Sequence, residues 1–288
     1  MVDRCDVAVL GAGALGAAMA ERLARQGHRV ALWNRTAERA EAVARSVEGV
    51  QAFASAADAA AGPSAVLTVL RDGDAVADVM AGVLERLDRS AVWIQASTIG
   101  PTWAAELARR ASDEGVAYLD APVSGSTEPA RQGSLIWLVS GTDQALERAR
   151  PALDDLGSRV VGVGDGVQGS ALKLAVNAWM TAATVAMSDV AGLCDALGVD
   201  HGSLVQALSA GALAMPYALA KLEMMDEHSY PVGFAVQLAL KDLDLARQAV
   251  APTPLLEAVH RRLAETVAAG HGADDLAAVD ALRAPTST

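Results

Sequence analysis

Short apolar runs alternate with helical patterns through the first half of the chain. The runs are rich in valine, leucine and isoleucine and are bounded by glycine or polar residues, which is typical of buried strands. Alanine-rich segments with helical periodicity separate several of them. This alternation predicts an α/β fold with a doubly wound sheet. The predicted strands are residues 5–10, 28–33, 64–70, 91–97, 116–120, 135–140 and 159–164.

From about Val167 onward the strand patterns stop and long helical patterns replace them. Glycine and proline interrupt these patterns at Gly198, Met215–Pro216, 229–231 and 252–254. The first helix is predicted over about 168–197 and is long enough to join two domains. The sequence therefore predicts a first domain over residues 1–164 and an all-helical second domain over residues 165–288.

One narrow polar stripe, here called the polar seam, runs along the predicted long helix. At about 3.6 residues per turn its members lie within roughly 80° of arc. Two interpretations fit: a solvent-facing edge with Lys173 in water, or a largely buried helix whose lysine has a chemical task, because a buried lysine is costly without one. The seam consists of Ser170, Lys173, Asn177, Thr181, Thr184 and Ser188.

Composition and charge narrow the class of protein. Hydrophobic residues make up 52% of the chain, which excludes disorder, and aromatic residues only 3%, so the core must consist of small apolar side chains. The formal net charge of −12 and the absence of a basic cluster argue against nucleic acid as a partner. Cys5 and Cys194 have no metal-ligand spacing, so we expect two core thiols, a reducing compartment and no metal site.

The sequence also predicts a protein without a membrane anchor. The amino terminus has Asp3 and Asp6 around its apolar stretch and does not resemble a signal peptide. The longest apolar stretch, near 171–187, is interrupted by Lys173 and Asn177 and falls short of about 18 uninterrupted apolar residues. We therefore expect a soluble cytoplasmic protein.

A glycine motif of the form G-x-G-x-x-G directly follows the first predicted strand and opens a helix. In this setting Gly11 permits the tight turn, Gly13 lets the backbone approach a pyrophosphate, and Gly16 lets helix and strand pack closely. The free N–H groups at the helix start then bind the diphosphate. The alternative is a small-residue turn without a ligand. The pattern favours a Rossmann-type dinucleotide domain whose motif residues are Gly11, Ala12, Gly13, Ala14, Leu15 and Gly16.

The end of the second strand indicates which dinucleotide is bound. An NAD-binding domain usually has an acid there, whereas this chain has Asn34, Arg35 and Thr36. Asn34 and Thr36 can hydrogen-bond a 2′-phosphate, and the guanidinium of Arg35 can pair with it or stack on adenine. NADP is therefore favoured over NAD. The alternative is that Arg35 is an ordinary surface arginine.

Two further strand ends are candidates for the nicotinamide side of the site. Ligands of doubly wound sheets bind beyond the carboxyl ends of the strands. Leu70–Arg71 and Ser97–Thr98 lie at such ends. Either pair can also be plain loop.

Four motifs together resemble the β-hydroxyacid dehydrogenase family, over nearly the whole chain. They are GAGALG at 11–16, DAPVSGS at 120–126, G-x-x-x-K-x-x-x-N at 169–177 and KDLDLA at 241–246. The family includes 3-hydroxyisobutyrate dehydrogenase and glyoxylate/succinic semialdehyde reductases. The resemblance implies an NADP-dependent oxidoreductase that interconverts a short aldehyde or keto acid and its hydroxyacid by hydride transfer.

The resemblance also implies roles for individual residues. Lys173 matches the catalytic lysine, and Asn177 the asparagine that assists it and contacts substrate. Ser124 and Gly125 match the loop that holds the substrate carboxylate. Positions that contact the nicotinamide cofactor correspond to Thr98 and Lys241.

The chain departs from the family pattern in two places. Ser126 replaces a frequent glycine of the carboxylate loop, which narrows or re-polarises that pocket. Residues 211–228, which match the substrate-facing segment, contain no arginine. This weakens the expectation of a small, strongly anionic substrate.

Other functions remain open from the sequence alone. An imine reductase has the same two-domain plan and often the same Asn-Arg-Thr stretch, but such enzymes usually lack a lysine at position 173. A 6-phosphogluconate dehydrogenase has a similar lysine and asparagine but a much longer helical domain. The chain can also be an idle NADP-binding scaffold. In every case the alanine-rich second domain favours a homodimer or higher homo-oligomer paired through the long helix.

Overall fold

A computed structural model of the chain describes residues 6–283. The chain forms two compact units, Met1–Leu174 and Ala175–Thr288, which divide inside one helix. The predicted boundary at residues 164–165 precedes this division and stays a prediction. Cys5 lies outside the described residues, and Cys194 is a buried free thiol.

The first unit contains a mixed sheet whose strands alternate with helices. The strands are β1 (Asp6–Leu10), β2 (Arg29–Trp33), β3 (Val50–Phe53), β4 (Ala65–Thr68), β5 (Val92–Gln95), β6 (Ala117–Asp120), β7 (Val123–Ser124), β8 (Leu135–Gly141) and β9 (Gly157–Gly162). The helices are α1 (Ala14–Arg25), α2 (Ala37–Ser46), α3 (Ala56–Ala60), α4 (Gly73–Ala81), α5 (Gly100–Asp113), α6 (Thr127–Gln132) and α7 (Asp143–Leu156).

The strand order confirms the doubly wound fold. Strands run β3-β2-β1-β4-β5-β6-β8-β7, with β9 paired to β8. Neighbours from β3 to β6 are parallel, and β8 is antiparallel to β6 and β7. From β1 the strands are added outward through β2 and β3 on one side, and from β4 through β5 and β6 on the other. Such sheets open a crevice for a ligand at this switch point, between β1 and β4.

Alternating residues of the central strands pack on opposite faces of the sheet. Val7 and Val9 of β1 belong to one buried cluster, and Ala8 and Leu10 belong to the other. Both clusters are dominated by alanine, valine and leucine, which confirms a core of small apolar side chains.

The second unit is helical apart from one isolated bridge between Ala235 and Asp275 within the described residues. Its first helix, α8 (Gln168–Leu197), has the predicted bounds and begins in the first unit. The others are α9 (His201–Ser209), α10 (Pro216–Asp226), α11 (Val236–Ala249) and α12 (Pro254–Thr266), followed by a π-helical segment at Val267–His271 and a 3₁₀ helix at Leu276–Leu282. Prolines at the starts of α10 and α12 fit the first helical turn, where their missing N–H costs nothing.

Helix α8 corrects one step of the sequence argument. Among residues 6–283 it is the one helix long and apolar enough to cross a membrane by length and composition, despite Lys173 and Asn177. A core helix of a soluble protein passes the same test. The two polar residues therefore do not exclude a membrane span by themselves.

Candidate active site

The glycine motif forms an open turn between β1 and α1. Gly11 has a positive φ of 123°, and a Cβ there would overlap the carbonyl oxygen of Val69. A Cβ at Gly16 would overlap the carbonyl oxygen of Gly11. At Gly13, by contrast, a Cβ would meet no atom within 4 Å. The space next to Gly13 is therefore open, and this is the position where a dinucleotide pyrophosphate approaches the backbone.

The start of α1 is suited to an anion. Its N-cap residue is Gly13, which has no side chain, so no side-chain oxygen caps the first turn. No acidic residue lies in that turn. The N–H groups of the first turn, up to Gly16, are thus available to a diphosphate, as the motif predicts, whereas the N–H of Ala17 is bonded to the carbonyl oxygen of Gly13.

The end of β2 is bonded to this glycine loop. The N–H of Gly11 donates to the carbonyl oxygen of Trp33 at 2.8 Å, and the N–H of Ala12 donates to Oδ1 of Asn34 at 3.0 Å. Nδ2 of Asn34 donates to the carbonyl oxygen of Thr36 at 2.9 Å. The amide of Asn34 is therefore engaged inside the protein, a use that the sequence did not indicate.

Arg35 and Thr36 are exposed beside it. Thr36 is the N-cap residue of α2, yet its side chain makes no capping hydrogen bond. Within the described residues Arg35 takes part in no ion pair. Both side chains are placed to reach a group that lies outside the protein.

A buried polar network fixes the ends of β4 and β5. Trp93 Nε1 donates to Thr68 Oγ1 at 3.0 Å, and Gln95 bonds both the N–H and the carbonyl oxygen of Ser97. The N–H of Leu70 donates to Ser97 Oγ at 2.8 Å. Thr68 and Gln95 were missed by the sequence argument, although a fully buried glutamine in an apolar strand is a signal of such a network.

These bonds locate the predicted nicotinamide-side residues. Leu70 and Thr98 are half-buried directly beyond the two strand ends. Arg71 is exposed and pairs with Asp72 at 2.7 Å. The rigid ends of β4 and β5 thus present both segments at the carboxyl edge of the sheet, where ligands bind.

The predicted carboxylate loop follows β7. Gly125 has a positive φ of 128°, and a Cβ there would lie 2.7 Å from Leu135 Cδ2, so other residues are strained at this position. Ser124 is half-buried, and Ser126 is the N-cap residue of α6 without a side-chain capping bond. The loop therefore offers two hydroxyl groups together with backbone amides.

The start of α8 is fixed to the sheet by a buried carboxylate. Oδ2 of Asp120 accepts from the N–H of Ser170 at 2.7 Å, and Oδ1 accepts from Ser170 Oγ at 2.6 Å. Ser140 Oγ donates to Asp120 at 3.1 Å and accepts from the N–H of Gly169 at 3.0 Å. Burial raises the pKa of Asp120, and these hydrogen bonds oppose the rise. Lys173 lies one turn further along this anchored helix.

The polar seam is buried, so the interpretation of a solvent-facing edge is wrong. Lys173 is 9% exposed and Asn177 2%. The other four members are 1% exposed or less. The opposite side of α8 is exposed and apolar, and this side is here called the apolar face. The apolar face consists of Ala175, Trp179, Ala186, Val190, Leu193 and Leu197.

Within the second unit, Asn177 is held by Asp242 of α11. Its Nδ2 donates a short hydrogen bond to Asp242 Oδ2, and its Oδ1 is buried without a protein partner. Asp242 Oδ1 lies 2.8 Å from Lys241 Nζ, in an ion pair whose angle does not make a hydrogen bond. Asn177 therefore presents a hydrogen-bond acceptor, and Lys241 is held beside it by the same carboxylate.

Other chemistry is limited in the part of the chain that the structure describes. It contains no group of three or more His, Cys, Asp and Glu side chains placed to hold a metal ion. Lys221, the cation in the segment that matches the substrate side, is buried in an ion pair with Asp275. Two surface cavities, of about 470 and 380 Å³, lie around Asp6 and Gln51 and around Trp33 and Val79, and Lys173 lines neither of them.

Comparisons with known proteins agree with this architecture. Residues 6–164 match a family model described as the NAD binding domain of 6-phosphogluconate dehydrogenase. Residues 167–282 match one described as "NAD-binding of NADP-dependent 3-hydroxyisobutyrate dehydrogenase". The 3-sulfolactaldehyde reductase of Escherichia coli (strain K12) is 32% identical over 284 residues, which cover 95% of this chain and 94% of that protein.

Solved structures show the same fold. The Mycobacterium tuberculosis 3-hydroxyisobutyrate dehydrogenase solved with L-serine has a TM-score of 0.89 at 29% identity, covering 98% of this chain and 100% of that one. A variant of the imine reductase from Myxococcus stipitatus, in complex with NAD⁺, has a TM-score of 0.66 at 21% identity, covering 96% of this chain and 98% of that one. The second likeness shows a shared fold alone.

Proposed function

Because the chain belongs to the β-hydroxyacid dehydrogenase family and is an NAD(P)-dependent oxidoreductase of that type, we propose that it reduces a short aldehyde or keto acid reversibly, with NADPH as hydride donor. The observation that carries this proposal is Lys173, a buried amine one turn beyond a helix start that is fixed to the sheet. A lysine in this position suits proton transfer to a carbonyl oxygen.

In the proposed mechanism the bound nicotinamide supplies the hydride. Lys173 holds the substrate carbonyl oxygen through its ammonium and gives it a proton during reduction, or removes that proton during oxidation. Asn177, one turn along the same helix, offers the acceptor Oδ1 to a donor such as the lysine ammonium or the product hydroxyl. A bond from the product hydroxyl to this oxygen would favour the alcohol, whereas a bond from the lysine ammonium would orient Lys173.

The carboxylate of the substrate would bind to Ser124, Gly125 and Ser126. The hydroxyl and amide groups of such a loop can bind an anion through hydrogen bonds, without a cation in the loop itself. Lys221 does not compete for this role, because it is paired with Asp275. This arrangement favours a substrate with one carboxylate or sulfonate over a phosphorylated one.

The cofactor would lie along the carboxyl edge of the sheet. The loop of Gly11 to Gly16 would hold the diphosphate, with Arg35 and Thr36 near the adenosine ribose. Leu70, Arg71 and Thr98 would border the nicotinamide side, and the family resemblance assigns a cofactor contact to Lys241 as well. NADP is favoured because no acid stands at the end of β2, where NAD enzymes use one.

Activity measurements with Lys173→Met test this function. We would follow NADPH absorbance with a panel of aldehydes, keto acids and cyclic imines. The variant should lose about 10²- to 10⁴-fold in kcat, the usual contribution of a positioned acid, while its NADPH dissociation constant stays within about threefold. Near-normal kcat in the variant would refute the role of Lys173.

The same panel decides between this function and an imine reductase. The imine reductase fold is shared, but a lysine at this place suits an oxygen substrate. Turnover of cyclic imines above that of every aldehyde and keto acid would favour the alternative. Binding of NADPH without turnover of any compound would instead indicate an idle scaffold.

We also propose that the chain forms a homodimer through the apolar face of α8. A surface of this kind is unfavourable in water, and a second copy of the helix offers an identical surface to cover it. The cytoplasmic location expected from the sequence stays a prediction.

A further inference from the structure

The amide of Asn34 links the end of β2 to the loop that would bind the diphosphate. Its Oδ1 accepts the N–H of Ala12, the second residue of the glycine motif, at 3.0 Å. Ala12 is only 5% exposed, so water cannot readily replace this acceptor. The bond joins residues 22 positions apart, next to the backbone bond between Gly11 and Trp33.

This arrangement leaves little of the Asn34 amide for a direct role at a 2′-phosphate. A phosphate oxygen is an acceptor, so only the Nδ2 group of an asparagine can bond to it. One of its two N–H bonds already donates to the carbonyl oxygen of Thr36 at 2.9 Å, and with Oδ1 bonded to Ala12 the orientation of the amide is fixed by two protein contacts. Turning the amide toward a phosphate would break the bond to Ala12 and leave a buried N–H without a partner.

We propose that Asn34 is a positioning residue that holds the glycine loop in its binding conformation and acts equally on NADPH and NADH. Discrimination between the two cofactors then rests on Arg35 and Thr36. Both side chains are exposed, and that of Thr36 makes no capping hydrogen bond to α2. This inference rests on the proposed cofactor binding, but not on which dinucleotide is preferred.

The test compares dissociation constants of both cofactors, measured by fluorescence, in matched variants. Asn34→Ala should weaken NADPH and NADH by the same factor, about tenfold, because the glycine loop loses its bond to Asn34 Oδ1 and the bond from Asn34 to Thr36 is lost with it. Arg35→Ala should weaken NADPH by about tenfold or more and leave NADH within about threefold, because it removes a charged partner of the extra phosphate.

Asn34→Asp is the rescue variant. A carboxylate oxygen accepts the N–H of Ala12 as the amide oxygen does, so NADH affinity should return to within about threefold of the natural protein. Its added negative charge would lie next to Arg35 and Thr36, the residues proposed to contact the 2′-phosphate, and should keep NADPH binding weak. If Asn34→Ala does not fold, Asn34→Asp alone decides, since loss of NADH binding in that variant contradicts the proposal.

A readout without cofactor completes the experiment. Hydrogen exchange of the Ala12 amide should be slow in the natural protein and in Asn34→Asp, and faster in Asn34→Ala. Loss of NADPH affinity alone in Asn34→Ala, with unchanged NADH affinity and exchange, would overturn the proposal. Tighter binding of NADH than NADPH by the natural protein would instead refute the NADP preference. The positioning role of Asn34 would still be tested by whether Asn34→Ala weakens both cofactors equally.

Discussion

At the scale of single residues, the glycines of the cofactor loop differ in what a side chain would meet. A methyl group at Gly13 has open space around it, whereas one at Gly16 overlaps the carbonyl oxygen of Gly11. Gly13 also has a φ of −70°, which alanine adopts without strain. A substitution at Gly13 should therefore affect cofactor binding, whereas one at Gly16 should affect folding.

We predict that Gly13→Ala folds with a free energy of unfolding within about 1 kcal/mol of the natural protein but binds NADPH at least about tenfold more weakly. Gly16→Ala should lose about 3 kcal/mol, because helix and loop must move apart. Urea unfolding without cofactor and NADPH titration measure both. Equal loss of stability in the two variants would contradict this assignment of roles.

At the scale of elements, the start of α8 depends on one carboxylate. Asp120→Ala leaves the N–H of Ser170 and the hydroxyl groups of Ser140 and Ser170 without their acceptor, and should cost about 3 kcal/mol of unfolding free energy. Ser170→Ala removes only one hydroxyl donor and should cost about 1 kcal/mol.

The same variants test whether this anchor serves catalysis. Because Lys173 lies one turn from Ser170, Asp120→Ala should lower kcat more than it raises the KM for NADPH. Asp120→Asn restores one acceptor and should recover part of the lost stability. A normal kcat in folded Asp120→Ala would show that the anchor is structural only.

The start of α9 contains a histidine whose charge stabilises the second unit. Nδ1 of His201 bonds Asp226 at 2.6 Å, and Nε2 lies 3.2 Å from the carbonyl oxygen of Ala191 and 3.3 Å from Asp195. Burial lowers the pKa of His201, but the bond to Asp226 and the other acceptors outweigh it, and the net pKa is raised above 6.5. The protonated form is therefore favoured by folding.

This stabilisation is present in full below the unfolded value of 6.5 and is lost as the pH rises through the raised folded value. We predict that the free energy of unfolding falls through this group as the pH rises above 6.5. His201→Gln should flatten that part of the profile in urea unfolding. An identical pH slope in the variant would count against the assignment.

Sequence reasoning located elements well where burial repeats regularly along the chain. Helix α8 has its predicted bounds because Gly198 adopts a positive φ directly after it. Strand β3 was missed because it has four residues and its middle ones are not fully buried. Periodicity also placed the polar seam on one face of α8, but it carries no information on which face is covered by other elements. Asp120 was quoted in a motif and not assigned a role, since its partners lie 20 and 50 residues away.

At the scale of the whole molecule, α8 has the reverse of the usual amphipathic arrangement. Its polar seam is buried, whereas Trp179 is 66% exposed, Leu193 57% and Leu197 69%. Surface helices of monomeric proteins normally show charged residues there. Exposed apolar residues that repeat along one helix face indicate an interface, and an identical helix is the partner that every copy can supply.

We predict that the natural protein sediments as a dimer or a higher oligomer and that Trp179→Glu shifts it to the monomer. A charge at Trp179, a large side chain of the apolar face, would have to be desolvated in both copies, which costs more than such a contact gains. Leu213→Glu is the matched control, because Leu213 is 76% exposed but lies outside α8, and it should leave the sedimentation coefficient unchanged. Were Trp179→Glu to sediment like the natural protein, the apolar face of α8 would not be the contact. Equal dissociation by Leu213→Glu would mean that added charge, rather than the loss of this face, separates the subunits.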